Sequence, residues 1–268
     1  MTTTGFVQGN GGRLYYECDG AGPGLVLVHA GVANLRMWDP HVPAWSGGFT
    51  VVRYDTRGFG RTESDQVGFS NRADLIAVMD QVGLERACLV GVSRGGQIVL
   101  DTALEYPDRV SALVVVAGGV GGFTPSTDLG TPAMWDEAEK HWEAHDWDWL
   151  ADFETRYWAD GPGQPTDRVV PAIRNLVHGW ILDNYRAEKV EGIPQPLDPP
   201  AAGRLGEVTW PTLVVIGSLD DPGTNEACRF LAAGVGARLE VFDGAAHMLT
   251  LEQPDRFTRL VAEFAAGL

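Results

Sequence analysis

The stretch Ala87-Cys88-Leu89-Val90-Gly91-Val92-Ser93-Arg94-Gly95-Gly96-Gln97 carries an apolar run that ends in a serine set between two glycines. A helix-like pattern follows over residues 95–106. Where a strand turns abruptly into a helix, main chain comes so close to main chain that larger flanking side chains would collide, which accounts for Gly91 and Gly95. Such a turn lifts the Ser93 hydroxyl clear of the sheet edge, the arrangement called a nucleophile elbow. The competing reading makes Ser93 a helix N-cap whose side chain only satisfies a free backbone N–H.

Outward from this point, short apolar runs alternate with helix-like segments, the signature of a mostly parallel α/β sheet with helices on both faces. The expected strands are residues 13–17, 25–28, 50–54, 87–92, 112–117, 212–216 and 239–242, and the expected helices are 71–82, 95–106, 226–233 and 254–266. The Val-rich strands read as continuous apolar runs, as strands covered on both faces should. Between residues 118 and 206 the rhythm changes: this stretch holds Trp135, Trp142, Trp147, Trp149, Trp158 and Trp180, has no Val-rich strand, and closes with a Pro-rich segment. It reads as a helical cap (lid) of residues 118–206 inserted into a core of 1–117 and 207–268. Its tryptophans are first of all packing residues, and they also offer an apolar lining for a pocket.

The chain has 268 residues, 44% hydrophobic and 21% charged, enough to bury a large core. No run approaches the length of a membrane span, and the start lacks a signal-peptide pattern, so a cytoplasmic location is the expectation. A formal net charge of −16 argues against nucleic acid and anionic membrane as partners. The odd, widely spaced Cys18, Cys88 and Cys228 indicate neither a disulfide framework nor a zinc site.

A serine hydroxyl is a poor nucleophile near neutral pH and needs a base within hydrogen-bond reach, itself oriented by a carboxylate. His247 lies in the small-residue loop Gly244-Ala245-Ala246-His247, and Asp220 in Gly217-Ser218-Leu219-Asp220, each just beyond a strand. Those are the carboxyl ends of strands, where open α/β sheets place their ligands. The chain order Ser93, Asp220, His247 is that of the α/β-hydrolase triad.

Over nearly its whole length the chain resembles the α/β-hydrolase fold superfamily, in its esterase, lactonase and cofactor-free haloperoxidase-like branch. The likeness rests on the three residues just named, on His29-Ala30-Gly31 after the family's third strand, on Asp55-Thr56-Arg57-Gly58-Phe59-Gly60 after its fourth, and on Glu252-Gln253-Pro254 after His247. It implies a cap inserted after the sixth strand, Ser93 as nucleophile, His247 as general base and then acid, and Asp220 as the orienting carboxylate. It also implies an oxyanion hole made by the backbone N–H groups of Gly31 and Arg94, with no metal and no cofactor. Two positions depart from the family's pattern: Ala30 stands where a glycine is usual, which touches the shape of the oxyanion loop, and Thr62 where a serine is common.

Each residue also has a plainer reading. A turn aspartate before Pro222 is common without catalysis, and the spacing after Gly217 favours Asp220 over Asp221. His29 reads as a brace for its loop, and the Asp55 to Arg57 turn as structural, with the arginine paired locally. His141 and His145 lie four apart with Asp148 nearby, a weak metal signal. Arg94, beside the serine, either attracts a substrate carboxylate or pairs with an acidic neighbour, and the pair is favoured.

The machinery does not choose among acyl donors. Serine at position 93 argues against the branches that use a carboxylate nucleophile, and Met248 after His247 mildly disfavours the carbon-carbon bond hydrolases. A cap arginine, Arg174 or Arg186, keeps that alternative open. The leading expectation is cleavage of a small carboxylic ester or lactone through an acyl-enzyme, with Trp135, Trp158, Trp180 and Met248 as candidate substrate contacts. The alternatives are a carbon-carbon bond hydrolase of aromatic degradation, a perhydrolase or haloperoxidase-like activity, and, from another class, a ligand-binding inactive homologue. Fold likeness alone does not choose among them.

Overall fold

A computed structural model describes residues 2–126 and 132–267. Eight strands dominate: β1 Thr3–Gly9, β2 Gly12–Asp19, β3 Gly24–Val28, β4 Thr50–Tyr54, β5 Ala87–Val92, β6 Val110–Val116, β7 Thr212–Gly217 and β8 Arg238–Phe242. They lie side by side in the order β1-β2-β4-β3-β5-β6-β7-β8. The pairs β1·β2 and β2·β4 are antiparallel and the remainder of that path is parallel. The main helices are α1 Asn71–Gln81, α2 Arg94–Glu105, α3 Pro132–Glu143, α4 Trp147–Glu154, α5 Pro171–Ala187, α6 Pro222–Val235 and α7 Pro254–Ala266.

The two-residue period of the strands divides the core. Leu25, Leu27, Val90, Val92, Val114, Val116, Leu213 and Val215 face one layer, which contains Trp38, Trp45 and Phe257 of α7. Their neighbours Val26, Val28, Leu89, Leu113, Val115, Val214 and Ile216 face the other, with Leu75 and Val78 of α1, Val99 and Leu100 of α2, and Leu231 of α6. A sheet packed on both faces needs such unbroken apolar strands, so the expected class holds.

One strand escapes the periodicity. β1 reads TTGFVQG and buries only Val7 among its residues, because an antiparallel edge strand faces solvent along most of its length. Its signal lies in the Asn10-Gly11 turn, where Gly11 has φ of +62°, the left-handed backbone of a two-residue hairpin. Counting β1, Leu25 belongs to the third strand, and the chain leaves the sheet for α3, α4 and α5 after the sixth. The ends of that excursion pack with the sheet, since Val120, Leu197, Ala201 and Leu205 belong to the α1/α2/α6 layer. No helix among the described residues is long and apolar enough to cross a membrane.

Candidate active site

Ser93 sits between β5 and α2 with φ of +56° and ψ of −118°, a conformation that costs a residue bearing a Cβ about 1–3 kcal/mol. Its backbone is held in place by bonds from Ser93 N–H to the Val116 carbonyl (2.8 Å) and from Gln97 N–H to the Ser93 carbonyl (3.1 Å). The glycine requirement is steric. A Cβ on Gly91 would lie 2.1 Å from the Gly95 carbonyl oxygen, and one on Gly95 would lie 2.3 Å from that of Val28. The Ser93 side chain makes no capping hydrogen bond, which removes the N-cap reading.

His247 and Asp220 meet as expected. His247 Nδ1 is 2.9 and 3.0 Å from the two Asp220 oxygens, and both side chains are buried. An Nδ1–H facing a carboxylate leaves Nε2 as the acceptor, the tautomer a general base requires. Ser93 is half-buried, and its hydroxyl is not hydrogen-bonded to His247. Asp221 is occupied elsewhere: one oxygen caps α6 by accepting Thr224 N–H (2.7 Å), and the other accepts the Tyr157 hydroxyl (2.7 Å). Asp220→Asn is therefore expected to lower turnover by roughly 10⁴-fold, by stabilising the wrong imidazole tautomer. Asp221→Asn, which can still cap the helix, should change it by less than about tenfold. Steady-state rates of the two variants make the comparison.

Among the described residues, neither the Gly31 nor the Arg94 N–H finds an acceptor. Arg94 opens α2, where the first N–H groups have no partner in the helix, so it also presents the positive end of the helix dipole. Gly31 is oriented by its neighbours. His29 is fully buried, its Nε2 accepts Thr56 N–H (3.0 Å), and its Nδ1 therefore carries the proton given to the Ala30 carbonyl (2.8 Å). Burial pushes the His29 pKa down to about 3, so it is a neutral brace and not a second base. Ala30 is accommodated because its φ is negative and its N–H reaches Met37 Sδ at 3.3 Å. At Thr62 the hydroxyl is what counts: it donates to the Asp55 carbonyl (2.6 Å) and accepts Tyr15 N–H (3.0 Å).

The Asp55 to Arg57 turn is structural. Asp55 accepts the N–H groups of Leu35 and Arg61, while Arg57 forms a two-pronged pair with Asp74. Arg94 also takes the paired reading: Nη2 meets Glu191 at 2.5 Å, Nη1 donates to Thr56 Oγ1 at 2.6 Å, and the guanidinium lies over the Phe59 ring.

The cap touches the acid and histidine loops through one segment. A π-helical turn, Thr155–Asp160, continues α4 and sets the Trp158 ring 4.5 Å from the His247 ring. Beyond it, Arg168 donates to the carbonyls of Ala159, Asp160 and Gly244 and pairs with Glu252 at 2.5 Å. The other Glu252 oxygen accepts Ala246 N–H, immediately before His247. Sequence reasoning missed Arg168, a lone arginine in an irregular segment with no pattern to mark it. Of the other candidate contacts, Met248 and Trp180 are buried in the core layer, and Trp135 packs edge-on against Phe153 and Tyr157. Arg174 pairs with Asp160 and Arg186 with Asp148, so neither expected cap arginine is unpaired. His141 stacks on Trp149 and bonds Asp146, and His145 faces Glu188, so the suspected metal trio does not converge.

Between the cap helices and the loop that carries Gly31 lies a cavity of about 510 Å³. Gly31, Val32, Gly58 and Phe59 line it from the core, and Trp142, Trp147, Glu154, Tyr185 and Glu188 from the cap. Ser93 and His247 are not among its lining residues.

The comparisons with known proteins bear on the family and the fold. A family model described as the alpha/beta hydrolase fold matches residues 23–155. A 2-hydroxy-6-oxononadienedioate/2-hydroxy-6-oxononatrienedioate hydrolase of Klebsiella pneumoniae is 31% identical over 96% of this chain and 88% of its own length. The chain belongs to the α/β-hydrolase family. Among other members, a 2-hydroxy-6-oxo-6-phenylhexa-2,4-dienoate hydrolase of Comamonas testosteroni is 28% identical over 94% of this chain and 90% of its own length. The solved enol-lactonase of Burkholderia xenovorans superposes with a TM-score of 0.75, at 25% identity over 97% of this chain and 99% of that one. This α/β hydrolase is thus similar both to carbon-carbon bond hydrolases and to a lactonase.

Proposed function

We propose that this α/β hydrolase cleaves a small carboxylic ester or lactone through an acyl-enzyme on Ser93. The reading rests on one arrangement above all: a strained, uncapped serine at the end of β5, followed by an Arg94 N–H that, like that of Gly31, finds no acceptor among the described residues, with the His247–Asp220 pair also standing just beyond strands. His247 Nε2 takes the Ser93 proton as Oγ attacks the carbonyl carbon, and the oxyanion that forms is met by the N–H groups of Gly31 and Arg94. The imidazolium, stabilised by Asp220, returns the proton to the leaving alkoxide. Water then attacks the acyl-enzyme by the same route, and Ser93 is released. Arg168 and Glu252 hold the loop that carries His247.

A second reading, hydrolysis of a carbon-carbon bond, is favoured by the full-length likeness to the dienoate and dienedioate hydrolases. Against it stands the cavity, lined by Glu154, Glu188 and Glu191, where the nearby Arg94 is already paired. A carboxylate-bearing substrate would meet like charge there. Initial rates on aryl esters of increasing acyl length, several lactones and a ring-fission dienoate, with Ser93→Ala protein as the blank, separate the two. Ester or lactone turnover well above the blank with no dienoate cleavage is expected; dienoate cleavage alone would replace the first reading with the second.

A further inference from the structure

The cavity between the cap helices and the loop that carries Gly31 has an unusual lining. Its cap side carries three aromatic rings packed on one another: Trp142 and Trp147 with centroids 5.4 Å apart, Trp142 and Tyr185 at 5.6 Å, and Trp147 and Tyr185 at 5.6 Å. Trp142 keeps 54% of its surface exposed, so its ring is open to a ligand. Phe59 faces them from the core loop.

The charges in the same wall are unbalanced. Glu154, Glu188 and Glu191 are carboxylates, and Lys189 is the lining's one Lys or Arg. Lys189 is engaged, because its ammonium donates to the carbonyls of Gly60 and Thr62. Glu191 is neutralised by Arg94. Among the described residues, no Lys or Arg pairs with Glu154 or Glu188: Glu154 accepts only the Tyr185 hydroxyl (2.6 Å), and Glu188 faces the His145 ring at 3.5 Å. Aromatic faces and two carboxylates with no Lys or Arg partner among the described residues together make a surface that attracts a cation of low hydration twice over, by the ring quadrupoles and by charge. An anion or a bare alkyl group would gain only part of that.

We propose that this cavity binds a substituted ammonium group of the substrate, so that the preferred ester is a cationic one. As a statement about substrate it rests on the hydrolase reading; as a statement about binding it stands without it. The ammonium would lie against Trp142, Trp147 and Tyr185 with Glu154 and Glu188 as counter-charges, while the acyl carbon reaches Gly31 at the cavity's core end. The cavity's size falls within the range of ordinary small-ligand sites, roughly 300–1,000 Å³. The chain's net charge of −16 would draw such a substrate in.

The test separates binding from turnover. Ser93→Ala protein is titrated with tetramethylammonium, with the neutral tert-butanol and with the pivalate anion, following tryptophan fluorescence. Tetramethylammonium should bind at least about tenfold more tightly than tert-butanol, and pivalate most weakly. Glu154→Gln should erase most of that preference, and because Glu154 is largely buried, the exposed Glu188→Gln serves as the second variant with a smaller loss in the same direction. Equal binding of the three probes, or a preference for pivalate, overturns the proposal. In the wild-type enzyme, kcat/KM for acetylcholine should exceed that for 3,3-dimethylbutyl acetate, its carbon isostere, by a similar factor. If the ammonium preference stands while neither ester is turned over, the hydrolase reading fails and the cation site survives.

Discussion

Ser93→Ala protein is expected to fold as the wild type does and to lose ester turnover by roughly 10⁴-fold or more. The serine side chain carries no structural bond that alanine would remove: its hydroxyl makes no capping bond, and its backbone partners, the Val116 carbonyl and the Gln97 N–H, do not involve the side chain. Alanine keeps the Cβ and therefore keeps the strain of φ +56°. Glycine would release it. Ser93→Gly should therefore be as stable as Ser93→Ala or slightly more so, the relief of about 1–3 kcal/mol outweighing the roughly 0.5–1 kcal/mol of added chain entropy in the unfolded state. Residual activity of either variant above solution hydrolysis measures what substrate binding and the remaining groups, the proposed Gly31 and Arg94 donors among them, contribute without the serine.

The largest stability effect is expected at Arg57, which touches no substrate in this account. Its guanidinium is fully buried, with Nε 2.6 Å and Nη2 2.9 Å from the two oxygens of Asp74, a third bond to the Gly11 carbonyl at 3.1 Å, and a place over the Phe69 ring. Burial pushes the Asp74 pKa up, and Arg57 draws it back down. Arg57→Ala removes the counter-charge and leaves a buried carboxylate alone, which costs about 3–5 kcal/mol and lowers Tm by roughly 10 °C in a chain of this size. The double replacement Arg57→Leu with Asp74→Leu should cost markedly less, since two well-packed apolar groups leave no orphaned charge. Thermal melts of the single and double variants decide it, and equal losses in both would mean that the pair contributes through packing only.

Much of the sheet was legible because its strands are buried on both faces, and Val-rich runs such as 112–117 are what a strand covered on both faces requires. The edge strand β1 was not, because its residues face solvent and only its Asn10-Gly11 turn marks it. Helix α6 starts at Pro222, four residues before the expected start at Glu226, because Asp221 caps it and proline is tolerated in a first turn. At the candidate site, the meeting of Asp220 with His247 and the placing of Ser93 at the end of β5 could be read from spacing after strands, since strand ends are where such groups stand. The cap contacts could not. That Trp158 reaches His247 depends on a π-helical turn, and that Arg168 ties the cap to Glu252 depends on two segments meeting in space. Trp180 and Met248, also expected as substrate contacts, are buried in the core layer, a placing that neither an aromatic residue type nor a position beside the histidine could reveal.

The account stands or falls on Ser93 as the nucleophile, and a fluorophosphonate reacted with the wild-type protein tests that most directly. Intact mass spectrometry should find a single phosphonyl adduct, peptide mapping should place it on Ser93, and the adduct should be absent from Ser93→Ala and slowed by orders of magnitude in His247→Ala. A protein that stays unmodified, or an adduct on another residue, would contradict it.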